Sequence, residues 1–208
     1  MNGISTNQPP RLRVVGSFLR SRVVDDASPI VYGIRDSLAV YSDDGGSFNI
    51  SYSRGGGRGG GGGGRGDGAP NRPTGRGTPD DQDMPQGRPA IESRFELPPR
   101  PTVQPWQAAP ITDEQLRNPL GIIPPDQRPR VALRFADQRE LLASGLLDGG
   151  SDVAQRPVVV DVPVGKGHVV LFANNPIWRG ETIGSYFLVF NTVLNFDNLN
   201  AGRKVDAK

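Results

Sequence analysis

Short apolar runs separated by turn-forming residues fill the first quarter of the chain. Leu12 to Val15, Phe18 to Val24 and Leu38 to Tyr41 are interrupted by Asp25, Asp26, Ser28, Pro29 and Gly33, a pattern that predicts short strands joined by turns. The pattern resumes after Pro129. Val131 to Ala136 (VALRFA) predicts a strand, and Asp137 to Leu147, with Leu141, Leu142 and Leu146, suits a short helix stopped by Gly149 and Gly150. Pro157 to Val164 (PVVVDVPV) and His168 to Ala173 (HVVLFA) are β-branched runs joined by Gly165, Lys166 and Gly167, which predicts a hairpin. Ile183, Phe187, Phe190 and Leu194 then recur at spacings of four, three and four, the period of one helix face. A C-terminal amphipathic helix packed on the sheet is expected.

Between these blocks the pattern disappears. Arg54 to Gly68 is a glycine tract (RGGGRGGGGGGRGDG), where backbone entropy is maximal and there is almost no side chain to bury, so it is expected to be flexible. A polar, Pro-rich stretch follows to Pro129, with scattered Phe95, Leu97, Val103 and Trp106 suited to local docking as extended segments. Within it only Thr112 to Arg117 suggests a helical turn, with Thr112 as cap and Gln115 three positions on. The expected organisation is a polar tail at 1–10, a folded part at 11–52, a disordered Gly/Arg/Pro-rich insertion at 53–129, a second folded part at 130–197 and a polar tail at 198–208.

Composition narrows the chemistry. The chain has no cysteine and one histidine among 208 residues, so thiolate nucleophiles, disulfides and zinc-thiolate sites are excluded. Twenty-four Lys plus Arg against 22 Asp plus Glu give a formal charge of +2, too small to drive nucleic acid or membrane binding by overall charge. Residues 1–10 lack the apolar region of a signal peptide, and no apolar run approaches the length of a membrane-spanning helix.

Three segments carry candidate chemistry. His168 opens a strand after a glycine turn, but a metal site normally needs three or four convergent ligands and a triad needs partners that the sequence does not place beside it. A structural histidine is the favoured reading. Asn174, Asn175, Trp178, Arg179 and Glu181 lie in a dense polar and aromatic loop (NNPIWRGE) before the last helix. In an open α/β sheet ligands bind at such strand ends, and the competing reading is that Trp178 caps the core while Arg179 and Glu181 pair with neighbours. Arg54, Arg58 and Arg65 form an RGG-like pattern without interleaved aromatics. A linker is the simpler reading than an RNA-binding segment, and the Arg65-Gly66-Asp67 triplet is expected by coincidence in such a tract.

The stretch from Gly165 to Phe196 (GKGHVVLFANNPIWRGETIGSYFLVFNTVLNF) resembles the end of the glutamine-amidotransferase-like domain at the C-terminus of many bacterial zinc carboxypeptidases of the carboxypeptidase A type. The likeness extends to VALRFA, LLASGLLDGG (Leu141 to Gly150) and RPVVVDVPV (Arg156 to Val164), and to Leu19 to Ser42 before the glycine tract. It implies a partial Rossmann-like α/β sandwich of the class I amidotransferase type, interrupted by the Gly/Pro-rich insertion. Active amidotransferases need a cysteine nucleophile, so a non-catalytic domain is implied. Ile183 stands where similar sequences often have His. Zinc and peptidase chemistry are expected only in an upstream or separately encoded catalytic domain, which is the implied partner, and such proteins are secreted or periplasmic. The resulting expectation is a non-catalytic accessory segment without a cofactor of its own. Two other readings stand beside it. One is a stand-alone interaction protein whose arginine-glycine tract contacts nucleic acid or another acidic partner. The other is an enzyme centred on His168 and the Trp178 to Glu181 loop.

Overall fold

The computed structural model describes residues 3–43, 46–52, 104–108, 110–117 and 121–203. The glycine tract with Arg54, Arg58 and Arg65, and the segment with Phe95, Leu97 and Val103, lie outside the described residues. Strands β1 (Ile4–Asn7), β2 (Arg13–Val14), β3 (Ser17–Val23), β4 (Ser37–Ser42) and β5 (Ser47–Ile50) come first, followed by a helical turn α1 (Asp113–Leu116). Then come β6 (Arg130–Phe135), β7 (Leu142–Ser144), β8 (Leu147–Asp148), β9 (Pro157–Val164), β10 (Gly167–Phe172) and the helix α2 (Ile183–Leu194). The described residues are therefore mixed α/β, mostly strands with one long helix.

The main sheet runs β10-β9-β6-β3-β4, with β7 also paired to β3, while β1 pairs β5 and β2 pairs β8. Every strand pairing among the described residues is antiparallel. The parallel strands of the expected Rossmann-like sandwich are not among them. Register shifts interrupt the β6-β9 pairing, and such irregularities bend strands and increase twist, so the sheet curls like half a barrel.

The run Pro157–Val164 is buried at six successive positions, from Pro157 to Val162, because apolar groups cover both sheet faces. On one face lie Leu19, Val40, Leu133, Phe135, Val159 and Leu188. On the other Val160 and Val162 pack with Phe48 and Ile50. The strand pair β9-β10 forms as expected, with Val164 opposite Gly167, leaving a two-residue turn in which Gly165 takes a φ of +61°.

Two stretches read as polar tails are docked. Residues 4–7 form β1, and residues 198–203 lie against the sheet with Leu199 buried. The helix expected over Asp137 to Leu147 does not form. Leu142 pairs with Leu19 and Leu147 with Val14, so sheet pairing outweighs a helical period read over one short window. Gly145, at φ +102°, enforces the break, and a Cβ there would sit 2.5 Å from Ser17 Oγ and 2.9 Å from Ser17 Cα. Gly145→Ala is expected to lower stability by roughly 2 kcal/mol or more, from strain and displacement together, readable as a fall in urea midpoint at unchanged slope.

The helix α2 forms where the period places it, but its expected core face points outward. Ile183, Phe187, Phe190 and Leu194 are 68%, 53%, 53% and 77% exposed. The opposite side is seated instead. Leu188 and Ser185 are buried, and Gly184 sits so close to Leu38 that a Cβ would come within 2.8 Å of Leu38 Cδ1. Asn191 Nδ2 donates to the carbonyls of Ile30 and Tyr32 at 3.1 and 2.8 Å. Small and polar side chains let the helix approach the sheet closely, and those contacts decide which face turns in.

Candidate functional site

Asp161 is the lone charge in PVVVDVPV, and its side chain is fully buried. A buried carboxylate must be paired, and two partners come from different parts of the chain. His168 Nδ1 lies 2.7 Å from Asp161 Oδ1, brought there by the β9-β10 register, and Arg203 Nη2 donates to Asp161 Oδ2 at 2.8 Å. A carboxylate can only accept, so His168 carries its proton on Nδ1. Arg203 Nη1 also donates to the Arg128 carbonyl at 2.7 Å. Burial pushes the Arg203 guanidinium below its ordinary range, Asp161 draws it back up, and the nearby Arg130 charge lowers it again. This geometry ties the C-terminal stretch to the sheet. Among the described residues, the side chains hydrogen-bonded around the His168 ring are Asp161 and, through it, Arg203.

The loop before α2 gathers a ladder of flat groups. Trp178 stacks on Tyr41 with ring centroids 4.9 Å apart and planes 8° from parallel, and the Arg179 guanidinium covers the Trp178 ring at 4.9 Å. Phe18 meets Tyr41 edge-on at 5.7 Å. Glu181 N–H donates to the Trp178 carbonyl at 2.7 Å, and the two residues between have positive φ, Arg179 at 43° and Gly180 at 76°. Both central residues positive is the signature of a type I′ turn. Thr182, next along, also has a positive φ of 47°, which for a β-branched residue is strained. The loop therefore holds Trp178 between Tyr41 and Arg179.

Asn175 bridges to Tyr41 through its backbone N–H, which donates to the Tyr41 carbonyl at 3.0 Å. Asn174 is buried, and among the described residues neither its Oδ1 nor its Nδ2 has a hydrogen-bond partner. It lines a cavity of about 500 Å³ with Phe48, Val170 and Phe172. His168 sits elsewhere, on the Asp161 pair, so the structure does not gather it with Trp178, Arg179 and Glu181 into one constellation.

Tyr41 and Arg203 were not picked out by the sequence reading, although the isolated charge of Asp161 was itself a signal that a partner must exist. Among the described residues no three His, Cys, Asp or Glu side chains gather in a way that could hold a metal ion. No helix of the described residues is long and apolar enough to cross a membrane. Comparison with protein-family models, curated proteins and solved structures finds no match.

The outward face of α2 is apolar and exposed. Four apolar residues at helical spacing share it, and Val193 and Phe196 nearby are also exposed, at 63% and 73%. The helix, IGSYFLVFNTVL, carries no charged residue.

Proposed function

We propose that this chain is a non-catalytic accessory segment of a zinc carboxypeptidase-like protein, docking on the catalytic domain of that protein through the outward face of α2. The observation that carries the reading is the exposed row Ile183, Phe187, Phe190 and Leu194. An uncharged apolar stripe of this size is covered in a functioning assembly, since leaving it in water forgoes the free energy of burial. Docking, rather than catalysis, also suits Asp161 and His168, whose hydrogen bonds serve to hold the C-terminal stretch.

The amidotransferase-like identity of the domain belongs with this proposal. The strand–strand–loop–helix order of β9, β10 and α2 supports it. Zinc belongs to the catalytic partner. The purified chain is expected to hold much less than one zinc per chain and to release no C-terminal amino acid from peptides. Equimolar zinc retained through gel filtration, measured by elemental analysis, would overturn the proposal.

A further inference from the structure

Strand β10 ends the main sheet, so one of its edges has no strand beside it among the described residues. The β9-β10 pairing fixes which groups that edge carries. Ala173 N–H donates to the Val158 carbonyl at 2.8 Å, and hydrogen-bonded pairs alternate along an antiparallel ladder. In the register that sets Gly167 opposite Val164 and Phe172 opposite Val159, the β10 residues bonded to β9 are therefore the odd-numbered ones. The N–H and C=O groups of His168, Val170 and Phe172 point the other way, and among the described residues none of them has a backbone hydrogen bond.

That edge has room beside it. Val170 and Phe172 face the main core, while Leu171 faces the smaller cluster of Phe48, Ile50, Val160 and Val162. All three line the cavity of about 500 Å³ beside Asn174. A cavity touched from both faces of a strand runs along its edge. Nothing in the strand blunts pairing there: residues 168–172 (HVVLF) include no proline, glycine, lysine or acidic residue, and no bulge interrupts the β9-β10 register. Edge strands are usually protected by one of these devices, because an unprotected edge is a template for another strand.

We infer that β10 is a dimerisation edge, on which the β10 of a second copy of this chain pairs antiparallel about a two-fold axis at Val170. The register is self-complementary. Val170 pairs with its own copy and His168 with Phe172, and all three present N–H and C=O outward, so the two strands offer matching groups at every pair. The contact is isologous, as in the commonest closed assemblies of identical chains. Val170 meets Val170 and the Phe172 ring meets His168 on one face of the joined sheet. Charge complements the register at both ends. The axis sets Lys166 of one copy opposite Asn174 of the other, and Asp43 lines the cavity with Asn174, so the exposed Lys166 of each copy approaches the exposed Asp43 of the other. The helix α2 packs against β4, at the opposite end of the sheet, and its outward face stays free for docking.

The test is sedimentation equilibrium of the full chain, with amide hydrogen exchange read at low and high concentration. A monomer–dimer equilibrium is expected. The amides of His168, Val170 and Phe172 should exchange slowly only where the dimer forms, while those of Val169 and Leu171 are protected at both concentrations. Val170→Pro removes the central outward N–H, and with it two hydrogen bonds per dimer, and is expected to weaken association by about tenfold or more. Lys166→Glu, at an exposed turn position, should weaken it severalfold at low salt, and adding Asp43→Lys should restore it. A chain that stays monomeric, or a dimer in which the amides of His168, Val170 and Phe172 remain unprotected, would overturn the assignment. The two glutamates of Phe187→Glu with Phe190→Glu are expected to leave the dimer intact while docking is lost, and loss of the dimer in that variant would place the contact on α2 and overturn it too.

Discussion

Replacing Asp161 by alanine is expected to lower the free energy of unfolding by about 3–5 kcal/mol, the usual cost of removing one partner from a buried ion pair. The carboxylate is fully buried and is shared between His168 and Arg203. Its loss leaves the Arg203 guanidinium, whose side chain is 8% exposed, beside Arg130 without the charge that offsets its burial. It also frees residues 198–203 from the sheet, and with them the carbonyls that accept from Arg130. Against total stabilities of about 5–15 kcal/mol for a domain, such a loss removes about a fifth of the stability or more. Asp161→Asn keeps an oxygen able to accept from Arg203 and is expected to cost less. Urea unfolding followed by circular dichroism measures both, and a loss below about 1 kcal/mol in Asp161→Ala would mean that the pair contributes little net stability.

The second large effect separates the two sides of α2. Leu188→Ala is expected to cost about 2–4 kcal/mol, because the side chain is completely buried in the main core and its removal leaves a cavity. The double change Phe187→Glu and Phe190→Glu is expected to alter stability by less than about 1 kcal/mol, since both rings face water and exposed positions are tolerant. The same double change should lower binding of a hydrophobic dye several-fold. A large loss of stability from the two glutamates would place those rings in the core and remove the docking face.

The parts of the fold legible in the sequence are those with local causes. The β9-β10 hairpin follows from two β-branched runs around Gly165, and the length of α2 from its apolar period. The direction of α2 was not legible. It depends on Gly184 against Leu38 and Asn191 reaching Ile30 and Tyr32, contacts between segments far apart in the chain, and on Ser185 donating to the Pro176 carbonyl at 2.6 Å. The same holds at 137–147, where helical spacing of leucines was real but Leu19 and Val14 offered strand partners.

At the candidate site, the loop residues Trp178 and Arg179 were legible as a dense aromatic and polar group. Their stacking on Tyr41 was not, because β4 lies more than a hundred residues earlier. Arg203 fell in a stretch read as a polar tail. Burial of Asp161 gives that arginine its position, so the signal lay in β9 rather than in the tail itself.

The docking proposal is tested most directly by titrating the chain into a zinc carboxypeptidase-like catalytic domain encoded in the same genome and measuring complex formation by sedimentation. The expected result is a one-to-one complex that weakens by about a hundredfold or more when Phe187 and Phe190 both become glutamate, as loss of two central aromatic contacts implies. No complex with the wild-type chain, or one unaffected by the two glutamates, would contradict the account.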